Sequence, residues 1–272
     1  MAQLKTYEDI ERMTVACQLA AETLEYLKRQ AREGISTLEL DELAEGFIRD
    51  HGALPSPKGY RGYPNSICTA VNEVVVHGIP TKKPLRPGDL ITIDVTVYKE
   101  GFHGDKAATI IVPGKPNPAA QRLMDVTETA MYRGIAQALH GGRLGNVGAA
   151  IQDYVEAHGY SVVRDFCGHG IGRQFHEDPQ VLNHGQWNTG RKLRAGMVFT
   201  VEPMINEGGY EVRILSDGWT VVTEDGKLSA QFEHTIAVTF QGPRILTLYT
   251  DHEREMWEAE CARQSARQRG KA

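Results

Sequence analysis

"LITIDVTVYKEGFHGDKAATIIV", Leu90 to Val112, is the stretch on which the reading of the whole chain turns. Val, Ile and Thr crowd both ends, as they do in strands. The glycine-containing segment "KEGF" between them makes a turn. The stretch predicts a β-hairpin, yet Asp94 sits in its first arm and Asp105 in its second. Side chains alternate faces along a strand. A two-residue loop at Lys99–Glu100 sets the aspartates opposite each other, and one at Glu100–Gly101 makes them diagonal neighbours. Either loop keeps both on one face, whereas a three-residue loop without a bulge would separate them. Like charges opposite each other destabilise a sheet. Burying an unpaired carboxylate costs several kcal/mol, on the order of a domain's whole stability. A basic partner is the ordinary compensation, but Lys106 alternates to the other face. A hard divalent cation is the stronger candidate.

Two more acids repeat the pattern. "GMVFTVEPMIN" puts Glu202 after Val198, Phe199 and Val201, and "SAQFEHTIAVT" puts Glu233 in the next apolar strand. "CGHGIGRQFHEDP" holds His169 and His176 in a glycine-rich run, where backbone can approach a site closely. The spacing is not that of a His-Glu-x-x-His zinc helix. "NEVVVHGIP" ends an apolar strand on His77. Four carboxylates balance two divalent ions. Oxygen-rich ligation with one imidazole suits Mn, Fe(II), Co or Zn. Two such ions ~3.5–4 Å apart can share a hydroxide and clamp a tetrahedral intermediate, which points to hydrolysis.

The rest of the chain frames this site. Its 272 residues suffice for one large domain, and 41% apolar with 24% charged residues is ordinary for a soluble globular protein. A net charge of −5 argues against a general nucleic-acid binder. The acid-containing start "MAQLKTYEDIERM" lacks the apolar core of a signal peptide, and no apolar run approaches a membrane span. Cys17, Cys68, Cys167 and Cys261 are far apart and read as reduced thiols, so a cytoplasmic protein is expected. A helix is predicted from an N-cap at Thr6 to Gly34, with Ile10, Met13, Cys17, Ala20, Leu24 and Leu27 on one face. A second runs from Ser36 to His51. After the hairpin the layout repeats: helices near 118–140, entered at Asn117–Pro118, and 146–158. Strands are then predicted at 161–166, 197–205, 211–215, 219–223 and 230–240. Helix, helix, strands, twice over, predicts a duplicated α+β unit. A single domain is expected over 1–250, with a charged tail, helical or frayed, over 251–272. Arg263 to Lys271 carries four basic residues and no acid, and reads as a solvated end.

The motifs "GYRGYPNSICTAVNEVVVHGIP", "IDVTVYKEGFHGD", "GHGIGRQFHEDP", "FTVEPMIN" and "DGWTVVTEDGKLSAQFEHTIAVT", in that order, resemble those of the type I methionine aminopeptidases. The likeness runs from about residue 4 to 248 and is bacterial in type, with no zinc-binding extension and no long insert. It implies the pita-bread fold: two pseudo-symmetric α+β halves with helices packed around a central antiparallel sheet. It also implies that Asp94 binds one metal, Asp105 and Glu233 bridge two, and His169 and Glu202 complete the second. The metals it implies are two divalent ions drawn from Co, Mn, Fe(II), Ni or Zn. Removal of the initiator methionine before a small second residue is the implied reaction, a metal-readied hydroxide attacking the first peptide bond. Glu202 is then the proton shuttle, while His77 and His176 contact the scissile peptide. Tyr60, Tyr63, Cys68, Phe175 and Trp219 match the wall of the methionine pocket, and Asn72, Val74 and Ser229 the place where some members hold a monovalent cation. Partners implied are N-terminal Met-peptides and nascent polypeptides. No membrane and no specific nucleic acid are involved, the chain is a monomer, and a transient ribosome contact is left open. Met1-Ala2 would make the chain a substrate of its own class. Lys106 and Pro57 depart from the family pattern. An X-Pro peptidase, a scaffold without catalysis and a non-haem iron oxygenase are the competing readings. The last needs two His and one carboxylate.

Overall fold

The computed structural model describes residues 3–269, so Met1, Ala2 and Gly270 to Ala272, Lys271 among them, lie outside the described residues. Helix α1 (Tyr7–Gln30) starts where Thr6 and Asp9 close a capping box, and α2 (Thr37–Asp50) where Ser36 and Glu39 do the same. The six residues predicted on one face of α1 are all buried. The helix stops before the predicted Gly34, because Ala31 is already extended and Gly34, at φ +86°, turns the chain toward the Ser36 cap. In the second half α3 (Pro118–Ile135) begins at an Asn117 cap, Ala120 N donating to Asn117 Oδ1 at 3.1 Å. It ends five residues short of the expected 140, in a run of turns. Helix α4 spans Gly145–Ala157. The charged end forms α5 (Asp251–Arg269), with Glu253 and Glu260 buried and Met256 and Trp257 packed against the core.

The hairpin pairs Leu90–Lys99 with Phe102–Ile111. Its loop is Glu100–Gly101, at φ +55° and +83°, the two positive φ values that a type I′ turn needs. Thr96 therefore faces Asp105, Asp94 faces Ala107, and the aspartates are diagonal neighbours. Ile91, Ile93, Val95 and Val97 are fully buried in the main core, each contributing about 1.5–3 kcal/mol. Asp94 and Thr96, on the alternate face, line a cavity. Cys68–Val71 pairs with the hairpin's outer side, Cys68 opposite Asp94.

The second half supplies a strand pair that breaks. Val198–Val201 pairs antiparallel with His234–Thr239, and Met204–Asn206 with Ser229–Gln231. Between them both chains interrupt at the same level, at Glu202–Pro203 and Phe232–Glu233. The continuous strands expected over 197–205 and 230–240 are thus each two strands in different sheets. Pro203 has no N–H for a ladder, which is a physical reason for the break. So Asp94 and Asp105 lie within strands, whereas Glu202 and Glu233 lie at a shared kink. The two halves are stitched there: Glu233 N donates to Ala107 O at 2.9 Å, Thr109 Oγ1 to Gln231 O at 2.7 Å, and Thr235 Oγ1 to Asp105 O at 2.8 Å.

Candidate metal centre

All five groups expected to hold metal line one cavity of about 440 Å³ between the halves. Asp94 and Asp105 come from the hairpin, Glu202 and Glu233 from the kink, and His169 from Gly168–Gly170. That last strand lies so close to its neighbours that a Cβ at Gly168 would fall 2.5 Å from Thr200 O, and one at Gly170 2.2 Å from Asp178 O. This is why "GHG" rather than any other triplet can deliver the imidazole here. His169 Nδ1 donates to Gly170 O at 3.0 Å. That fixes the tautomer and leaves Nε2 as an acceptor, 3.7 Å from Asp105 Oδ2 and 3.8 Å from Glu202 Oε1.

The site is electrostatically crowded. Burial pushes Asp94 up to about 7 and Glu202 up to about 8. Burial, then the neighbouring carboxylates, drives Asp105 and Glu233 well above the usual carboxylate range. Burial also pulls His77 and His169 down to about 4 and His176 to about 3, so the three rings are neutral near pH 7. Glu233 Oε1 is buried without a hydrogen-bond partner. A buried carboxyl oxygen with no partner, set among three other acids, is what a cation would relieve. Donor atoms of Asp105, His169 and Glu233 lie within 4.8 Å of one another, a spacing that a bound ion can draw together. Asp94 lies diagonally beside Asp105 on one side, and Glu202 stands beside His169 on the other. The residues present fit divalent metal.

Around this centre the cavity wall is aromatic. Tyr60, Tyr63, Cys68, Phe175 and Trp219 line it together with His77 and His176. Tyr63 and Trp219 meet edge-on at 5.1 Å, Tyr60 stacks on His176 at 5.1 Å, and His77 meets the edge of Phe166 at 5.4 Å. Pro57 lines the cavity too, whereas Lys106 faces away from it, toward Glu253. Asn72 and Ser229 come together through Ser229 N donating to Asn72 O at 2.9 Å, with Val74 in the adjoining strand.

Some functional neighbours escaped the sequence reading. Thr96 Oγ1 donates to Asp105 Oδ1 at 2.7 Å, and Thr200 Oγ1 to Glu202 Oε1 at 2.6 Å while accepting from His169 N at 2.9 Å. Phe166, Met204 and Gln231 also line the cavity. Thr96 and Thr200 each stand two residues from an acid, on its face of the strand or in line with it, and that spacing is the signal that could have found them.

A buried cage of carboxylates and one neutral imidazole, at the junction of two helix-pair halves, defines a metal-dependent hydrolase. The chain belongs to metallopeptidase family M24, whose profile matches residues 11–240. It is 53% identical over 246 residues to a methionine aminopeptidase A of Synechocystis sp., covering 90% of this chain and 97% of that one. It is 51% identical over 250 residues to a methionine aminopeptidase of Escherichia coli, covering 91% and 94%. A crystal structure of methionine aminopeptidase from Rickettsia prowazekii superposes with a TM-score of 0.90 at 48% identity, over 91% of this chain and all of that one. The family read from the five motifs and the two-halved α+β fold are both borne out.

Proposed function

We infer that the chain is a metal-dependent methionyl aminopeptidase, which hydrolyses the first peptide bond of peptides and nascent proteins that begin with methionine and a small second residue. One observation carries this reading: a carboxylate cage and an aromatic, thiol-bearing recess share a single cavity. An apolar recess with aromatic walls suits a thioether side chain. Asp94, Asp105, His169, Glu202 and Glu233 would hold two divalent ions, drawn from Co, Mn, Fe(II), Ni or Zn. When bound, such ions supply Lewis acidity and lower the pKa of a shared water.

The chain's own groups do the rest. Tyr60, Tyr63, Cys68, Phe175 and Trp219 would seat the methionine side chain and exclude water from it. Glu202 would take a proton from the attacking water and return it to the leaving amine. His176, a neutral ring, would donate its N–H to the developing oxyanion, and His77 would orient the scissile amide. A monovalent cation at Asn72, Val74 and Ser229 belongs to the same reading, as do a cytoplasmic monomer and a transient contact with the ribosome. No helix among the described residues is long and apolar enough to cross a membrane.

The test is methionine release from Met-Ala-Ser by metal-depleted protein, with each divalent ion titrated back, beside Ala-Pro-Ala. Metal-dependent cleavage of the first peptide alone is expected. Cleavage of Ala-Pro-Ala instead would mean an X-Pro peptidase, and no cleavage of either with any ion would mean a protein without this activity.

A further inference from the structure

Helix α5 begins at Asp251, beyond the profile match that stops at residue 240, and reaches the back of the acidic cage. Lys106 follows Asp105 on the hairpin and points to the opposite face, 1% exposed. Its Nζ donates to Glu253 Oε1 at 2.5 Å and to Thr247 O at 2.9 Å. The other oxygen of Glu253 accepts from Tyr249 N at 2.9 Å and Thr250 N at 3.0 Å, while Glu253 N donates to Thr250 Oγ1 at 3.2 Å. This is a capping box. One carboxylate both starts α5 and neutralises the buried lysine.

The residue that follows the other shared carboxylate is tied to the same place. His234, next to Glu233, meets Thr247 Oγ1 through Nδ1 at 2.8 Å and the Tyr132 hydroxyl through Nε2 at 3.1 Å. Thr235 N donates to Thr247 Oγ1 at 3.1 Å. The circuit closes through Glu233 N to Ala107 O and Thr235 Oγ1 to Asp105 O. Glu253 and Thr247 therefore hold Lys106, the residue after Asp105, and Thr247 also holds His234 and Thr235, the residues after Glu233. A buried ion pair adds little stability over an apolar pair of the same volume, whereas losing one partner strands the other. What such a pair supplies is a fixed arrangement.

We propose that Lys106 and Glu253 are positioning residues: their ion pair makes α5 a back plate that sets the separation of the Asp105 and Glu233 carboxylates for metal. The inference rests on the reading that both residues hold divalent ions, and calorimetric titration of the full-length protein with Mn(II) separates the two. A wild type that binds no Mn(II) overturns that reading and this proposal with it. Given binding by the wild type, Glu253→Gln and Lys106→Arg should each weaken Mn(II) affinity ~10–100-fold, the range for residues that orient metal ligands. The visible bands of the Co(II)-loaded protein should shift in both. Met256→Ala, which loosens α5 without touching the ion pair, should lower Tm and leave the Mn(II) Kd within twofold. Glu253→Gln with a wild-type Kd, whatever its Tm, overturns the proposal. Should that variant not fold, Lys106→Met combined with Glu253→Leu leaves no stranded charge and carries the test. A weaker Kd then supports the proposal, and a wild-type Kd refutes it.

Discussion

At the scale of single residues, Glu233 bears a heavy load. It is 2% exposed, one of its oxygens is orphaned, and burial, reinforced by three other carboxylates, raises its pKa. Glu233→Gln keeps the shape and removes the charge. In chelator-treated protein at neutral pH the variant should melt above the wild type, because folding must protonate a carboxyl that is ionised in the unfolded chain, at about 1.4 kcal/mol for each unit by which the pH exceeds the ordinary carboxylate value. With Mn(II) supplied, elemental analysis should find fewer ions per chain than in the wild type. Lower melting together with full metal content would contradict the assignment. His77 and His176 predict the opposite pairing of effects. Neither is among the cage donors, so His77→Ala or His176→Ala should cut kcat on Met-Ala-Ser by ~10²–10³-fold with Mn(II) affinity unchanged; full turnover in either variant would remove its role. The acids were legible in the sequence because a carboxylate inside an apolar run has few inexpensive explanations. Thr96 and Thr200 were not, because threonine is an ordinary strand former. The spacing of Thr96 from Asp94 hints at a place on the acidic face, and the register, which sets Thr96 across from Asp105, shows which carboxylate its hydroxyl serves.

At the scale of elements, the hairpin could be recognised but its register stayed open, since both candidate loops leave the aspartates on one face. The positive φ values at Glu100 and Gly101 decide it. The kink at Glu202–Pro203 and Phe232–Glu233 was hidden. An unbroken apolar run looks the same whether its strand stays in one sheet or passes into another, and Pro203 was the lone local hint. The close approach of α1 was equally invisible, although it fixes where the hairpin sits. A Cβ on Gly104, one residue before Asp105, would lie 2.4 Å from Cys17 N and 2.5 Å from Ala16 C. Both are helix backbone, which cannot swing aside as a side chain can. Gly104→Ala should therefore push the hairpin off α1 and cost on the order of 1–3 kcal/mol, the usual penalty of overpacking, read as a lower urea midpoint with an unchanged m-value. The displaced Asp105 should weaken Mn(II) binding in the same variant. An unchanged midpoint would mean that helix and hairpin separate more easily than their contact suggests.

At the scale of the whole molecule, folding brings carboxylates from distant parts of the chain into one cavity, so the fold without metal works against its own charges. The pH dependence follows from the direction of each shift. Asp94 and Glu202 are raised by burial to about 7 and about 8, so the stability they contribute is present in acid and lost as pH rises through those values. His77, His169 and His176 are lowered, so their contribution is lost as pH falls below their unfolded value near 6.5 and is complete above it. Below about pH 6.5 the two sets oppose each other, and above it the carboxylates act alone. Metal-free protein should therefore lose melting temperature between pH 6.5 and 8, by on the order of 5 °C for a chain of this size. Saturating Mn(II) or Co(II) should flatten the slope, because bound cations favour the charged carboxylates that protons otherwise neutralise. The measurement is a set of calorimetric melts across that window, with chelator and with metal. A chelated protein whose Tm holds level or climbs from pH 6.5 to 8 would mean that the four carboxylates find relief within the chain itself, and the case for two cations in the cage would fail.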